Sequence, residues 1–121
     1  MITDTFLQRI AGLINGESVL VPSYAAFSSD VITASGTDTS LPSELDSPRL
    51  NITNSRSNNT TTYSFTRSGA LANSSGDYLN AMAIIDSATG GYVLSEATIP
   101  NFLHTTAFDI NVNWKVSVER I

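Results

Sequence analysis

The chain contains no cysteine. That removes disulfides, thiolate zinc sites and cysteine nucleophiles together. It has one histidine, His104, so any triad or imidazole metal site would have to be built on that residue. Basic residues are scarce: six Lys and Arg stand against eleven Asp and Glu, for a net charge of −5. The six are Arg9, Arg49, Arg56, Arg67, Lys115 and Arg120, and they are scattered. No basic stripe exists to neutralise phosphates, so neither nucleic acid nor an anionic membrane surface is expected as a partner. Long apolar runs are missing too. Nothing approaches the roughly 18 residues of a transmembrane helix, and no basic region leads an apolar one as in a signal peptide. Synthesis in a cytoplasm is the expectation.

Charged residues make up only 14% of the chain, against roughly 25% in typical soluble domains. Ser, Thr and Asn supply the polarity instead. The length of 121 residues fits one domain spanning 1–121.

The clearest positive signal is near the end. Phe108, Ile110, Val112, Trp114, Val116 and Val118 alternate with Asp109, Asn111, Asn113, Lys115, Ser117 and Glu119. A strict period of two puts one face of a strand in a core and the other in water. Leu50 to Arg56 and Thr60 to Ser68 read as a hairpin with its tip at Ser57-Asn58-Asn59. Tyr78 to Asp86 is more continuously apolar, as expected of a central strand covered on both faces. Ser87-Ala88-Thr89-Gly90-Gly91 reads as a turn needing positive φ, and Tyr92 to Thr98 as the returning strand. Pro100 to Thr106 reads as a crossover. Val19 to Phe27 is a further strand, kept at an edge or bulge by Pro22, and Val31 to Thr33 a short one. Residues 34–48 form a long polar loop. The fold class is therefore all-β: an antiparallel β-sandwich, jelly-roll or Ig-like.

One amphipathic helix is expected, over residues 5–15. Thr5 and Gln8 have capping-box spacing, and Gly16 stands where a left-handed C-terminal residue is wanted. Phe6, Leu7, Ile10, Leu13 and Ile14 form its apolar side. About eleven residues do not make a stable isolated helix, so this side must dock, either on its own sandwich or on a neighbouring subunit.

The candidate sites are thin. His104 lies in a connection without HxxxH or HExxH spacing. Asp38, Glu44 and Asp46 share the polar loop, but their spacing is not that of an EF-hand. Glu44 and Arg49 are placed to pair across the Asp46-Ser47-Pro48 turn as a structural fastening, one contributing about 0–1 kcal/mol where partly exposed. Asn51, Asn58, Asn59 and Asn73 begin glycosylation-acceptor triplets that a chain this rich in Asn, Ser and Thr produces by chance. Gly90-Gly91 lacks the lysine and setting of a phosphate loop. Trp114 points to the core by its register. Tyr24, Tyr78 and Tyr92 are the aromatics offered for stacking on a sugar. No nucleophile and base come together, so no enzyme, no cofactor and no metal are expected.

The order of parts resembles small β-sandwich structural proteins of tailed-bacteriophage and related virus particles. The resemblance runs through the opening helix (Thr5-Phe6-Leu7-Gln8-Arg9-Ile10), the loop with Leu41-Pro42-Ser43-Glu44 and then Arg49, the strand ending Ile84-Ile85-Asp86-Ser87-Ala88-Thr89-Gly90-Gly91, and the alternating strand Phe108 to Val116. It implies a virion subunit of tail, collar, baseplate, fibre attachment or head decoration. Such a subunit works through contacts with copies of itself and with other virion proteins, without catalysis. Phe6, Leu7, Ile10, Leu13 and Ile14 would be its assembly interface. The alternative is a carbohydrate- or receptor-binding sandwich module acting through its loops.

Overall fold

A computed structural model describes residues 1–31 and 39–120. Among these residues are one α-helix, a single-turn 3-10 helix at Gly69–Leu71 and seven strands: α1 (Asp4–Ile14), β1 (Tyr24–Ser28), β2 (Leu50–Asn51), β3 (Thr53–Ser57), β4 (Thr60–Arg67), β5 (Asp77–Ile85), β6 (Val93–His104) and β7 (Ile110–Ser117). The strands form two antiparallel sheets, one of four in the order β2-β1-β5-β6 and one of three in the order β3-β4-β7. The chain is thus mostly β with a short N-terminal helix, as its alternation implies.

The two sheets enclose one apolar cluster. Ala25, Phe27, Leu50, Leu79, Ile84 and Leu94 come from the four-stranded sheet, Tyr63 and Phe65 from the three-stranded one, and Phe6 from α1. Phe27 and Phe65 meet edge to face across the gap at 6.0 Å between centroids, a favoured geometry for their ring quadrupoles. Trp114 and Val112 pack against this cluster and remain partly exposed. The inward side of the three-stranded sheet follows from register: Tyr63 stands opposite Trp114, Phe65 opposite Val112 and Arg67 opposite Ile110.

β5 is central, between β1 and β6, and is buried along nearly its whole second half. Its successive residues serve two cores. Ile84 faces the three-stranded sheet, whereas Ala83 and Ile85 join Ala26, Val93 and Leu41 in a second cluster on the other side. Leu41 belongs to the polar loop, so a loop rather than a second layer of secondary structure covers this outer face.

Several expectations are corrected. The helix is capped by Thr3, not Thr5: the Phe6 amide donates to Thr3 Oγ1 at 3.3 Å. Thr3 has this place because residues 1–3 lie along the edge of β6, where the Thr3 amide donates to Leu94 O and the Glu96 amide to Met1 O. At the other end Gly16 has φ +79°, and the bonds Gly16 N–H to Leu13 O and Glu17 N–H to Gly12 O close a Schellman motif. The strand expected over Val19 to Phe27 begins only at Tyr24, because the preceding segment folds back along α1, with Val19 beside Gly12. Leu50 to Arg56 is two strands, not one: β2 pairs with β1 and β3 with β4, so the chain changes sheets at Ile52. No crossover begins at Pro100. β6 runs on to His104, past a register shift opposite Leu79 and Ala81, and Pro100 is tolerated because β6 is an edge strand. The last strand starts at Ile110, leaving Phe108 in the connection. Val31 is in no strand, and Thr33 lies outside the described residues, as does 34–38 of the polar loop.

Candidate functional site

Five of the buried polar residues, Asp46, Arg49, Arg67, Asp86 and His104, take part in three fastenings. The deepest is built on Arg67, at the inward end of β4 and 1% exposed. Its Nε donates to Asp46 Oδ1 at 2.9 Å and its Nη2 to Asp77 Oδ2 at 2.9 Å. Its Nη1 lies 2.6 Å from His104 Nδ1. Arginine can only donate, so Nδ1 is the acceptor and the imidazole carries its proton on Nε2, which donates to Phe108 O at 2.8 Å. His104 is therefore neutral, with both ring nitrogens engaged and the ring fully buried. Asp77 and His104 stand opposite each other on β5 and β6. Asp46 arrives from the polar loop, its second oxygen accepting from the Phe27 amide at 2.9 Å. The four side chains tie both sheets and the loop together at one end of the molecule. The sequence reading placed His104 in a connection; it is the last residue of β6 and part of this core.

The second fastening is the expected pair of Glu44 and Arg49, and it does more than the reading assigned. Arg49 Nε and Nη2 donate to the two Glu44 oxygens at 3.0 and 3.2 Å. Nη1 donates to the carbonyls of Ser87 and Gly90, and Nη2 also to that of Thr39. All five N–H groups are used. The arginine side chain is 5% exposed, so the pair is not the solvent-screened surface bridge whose contribution is near zero. It clamps the loop onto the β5–β6 turn, where Gly90 and Gly91 have the expected positive φ of 61° and 69°.

Arg9 makes the third. Its Nη2 donates to Asp86 Oδ2 at 2.8 Å and its Nη1 to Leu20 O at 2.6 Å, while its guanidinium lies 6.0 Å from the centroid of the Tyr92 ring. It pins α1 to the same turn.

The helix residues singled out from the sequence separate accordingly. Phe6 is buried in the main core and Ile10 packs against that core. Leu7, Leu13 and Ile14 are exposed, Ile14 at 84%. Leu20 and Val21, on the segment returning along α1, are exposed as well. Of the tyrosines, Tyr78 is exposed at the β5 end, Tyr92 is half-exposed beside Arg9, and Tyr24 is intermediate. Burial raises the Tyr63 hydroxyl above its ordinary value of 10.0. Asp38 lies outside the described residues. Glu44 and Asp46 are both committed to arginines, and among the described residues no group of three or more His, Cys, Asp or Glu side chains is arranged to hold a metal ion.

Sequence reasoning missed a groove of about 720 Å³ where the chain changes sheets. The pairing of β3 with β4 stops at Thr53 and Ser64, so β4 beyond Ser64 has a neighbour only in β7. Leu45 to Asn51 wall this opening, Leu71 closes it, and Thr53, Ser64, Thr66, Asn111 and Asn113 line it. No local signal announced it, because Leu50-Asn51-Ile52-Thr53 alternates apolar and polar without a break although the chain changes sheets there.

No protein-family model, curated protein or solved structure matches the chain.

Proposed function

We propose that the chain is a structural subunit of a tailed virus particle, acting through contacts with copies of itself and with other virion proteins. One observation carries this reading. The helix commits Phe6, Ile10 and Arg9 to its own body while Leu7, Leu13 and Ile14 stay exposed, as do Leu20 and Val21 nearby. Apolar residues grouped in this way mark interaction surfaces more often than scattered ones do. The buried ionisable groups support the same reading, since Arg67, Arg49, His104, Asp46 and Asp77 are spent on holding sheets and loop together. The resemblance to small sandwich proteins of tailed phages supplies the setting, and with it the finer description of the fold as a jelly-roll or Ig-like sandwich. Within the particle the subunit sits in a tail, collar, baseplate or fibre attachment, or decorates the capsid.

The test is the double substitution Leu13→Asp, Ile14→Asp. Both side chains are exposed, so the fold and its Tm are expected to hold. The mass of the purified chain by light scattering, and its incorporation into particles, are expected to drop to those of an unassembled monomer. Unchanged incorporation by a folded double variant would remove the helix from the interface.

A further inference from the structure

The groove at the sheet change has a chemistry of its own, independent of the assembly reading. Its floor is the outer face of the three-stranded sheet, where Ser64 stands opposite Asn113 and Thr66 opposite Asn111. The hydroxyls donate to the asparagine Oδ1 atoms, at 2.9 Å for Ser64 and 2.6 Å for Thr66. Each amide is thereby held by its oxygen, and its Nδ2 group has no partner among the described residues. Residues two apart on a strand share a face, so two primary amide donors stand about 6.8 Å apart along the floor. The walls are mixed: Leu45, Pro48 and Leu71 give apolar surface beside the polar Ser47 and Asn51.

Two charged residues line the groove, and neither offers its charge to a ligand. Asp46 has one oxygen on Arg67 and the other on the Phe27 amide. Arg49 has all five N–H groups engaged. Lys115 is on the same outer face but two residues further along β7, outside the lining. A ligand carrying net charge would meet no counter-charge here. One with hydroxyl and carbonyl acceptors along its edge and a C–H face for the leucines would match both surfaces. The volume is within the range of about 300–1,000 Å³ usual for small-molecule sites.

We infer that this groove binds an uncharged oligosaccharide, with Asn111 and Asn113 as its hydrogen-bond donors. An extended peptide is the lesser fit, since β4 is open for only three residues beyond Ser64, too short an edge for strand addition over several residues.

The experiment is an amide NMR titration of the whole chain with maltotriose, cellotriose and N-acetylated chitotriose. Each is taken to about 10 mM, past the millimolar affinity that a few neutral hydrogen bonds give. At least one sugar is expected to shift the side-chain amide signals of Asn111 and Asn113 and the backbone signals of Thr66 and Leu71, to saturation. The Asn111→Ala, Asn113→Ala double variant, altered only at exposed positions, is expected to keep the remaining spectrum and weaken binding at least tenfold. The inference is overturned by no shift with any of the three, by shifts confined to Tyr78 or Tyr92, or by binding that survives the double variant. A response of the groove to a threonine-rich extended peptide and to no sugar overturns it too, and makes the groove a strand acceptor.

Discussion

The two sheets solve the same burial problem in opposite ways. The four-stranded sheet is covered on both sides: the three-stranded sheet lies on one, and the loop carrying Leu41 lies on the other. The three-stranded sheet is covered on one side only. Its outer face is a lattice of hydroxyls and amides, paired as Thr60 with Ser117, Ser64 with Asn113 and Thr66 with Asn111. The difference is written in composition. β5 reads Leu-Asn-Ala-Met-Ala-Ile-Ile, nearly continuous, as a doubly covered strand does; β7 reads Ile-Asn-Val-Asn-Trp-Lys-Val, strictly alternating. Substitutions should therefore be felt on both faces of one sheet and on one face of the other.

The largest effect is expected where the two sheets are joined. Arg67→Met removes the cation and leaves Asp46, 4% exposed, and Asp77 facing each other with His104. Breaking a buried pair from one side costs about 3–5 kcal/mol, a large part of the 5–15 kcal/mol that holds a typical domain. Urea denaturation should show an unfolding free energy lowered by that amount or a chain already unfolded. A variant within about 1 kcal/mol of the parent would mean that the cluster does not bind the sheets together.

Next comes the loop cover. Leu41→Ala should cost about 2–3 kcal/mol, the low end of the range for buried leucines, because a loop can settle into part of the cavity. The loss would confirm that the outer face of the four-stranded sheet is a true core, and Arg49→Met should expose the same face by releasing the clamp. Stability equal to the parent for both would reduce the comparison to a sheet with one wet face on each side of the molecule.

How much of this was legible beforehand differs between the sheets in the same way. Alternation along β7 and the apolar run of β5 revealed which strand is half-buried and which is central. The Asn58-Asn59 hairpin tip and the Gly90-Gly91 turn were visible because turn chemistry is local. Glu44 with Arg49 was visible because the partners are five residues apart. The Arg67 cluster was not: Asp46, Arg67, Asp77 and His104 come from four separate elements, and only the fold brings them together. The continuation of β6 through Pro100 was hidden for a related reason, since a proline stops a strand only where its missing N–H would be needed. The N-terminal cap moved from Thr5 to Thr3 because pairing of residues 1–3 with β6, a tertiary contact, fixes where the helix begins. The groove is likewise a property of topology, arising where β2 and β3 part company.

The smallest effect is the sharpest test of the comparison, because it sets neighbours in sequence against each other. Phe65 and Thr66 are consecutive on β4, yet Phe65 is buried between the sheets and Thr66 is exposed on the outer face. Thr66→Val keeps the β-branched shape that suits a strand and removes one exposed hydrogen bond to Asn111, whose oxygen turns to water instead. The change in stability should lie within about 0.5 kcal/mol. Phe65→Ala, one residue away, should cost about 3–5 kcal/mol, through lost burial and the lost edge contact with Phe27. The ratio matters more than either value. If Thr66→Val proved as costly as Phe65→Ala, the amide and hydroxyl lattice would be carrying fold stability, and its open face would be a second core in polar form. If the two differ as expected, the lattice contributes little to folding, and its asparagine donors are free to be read as a surface for binding.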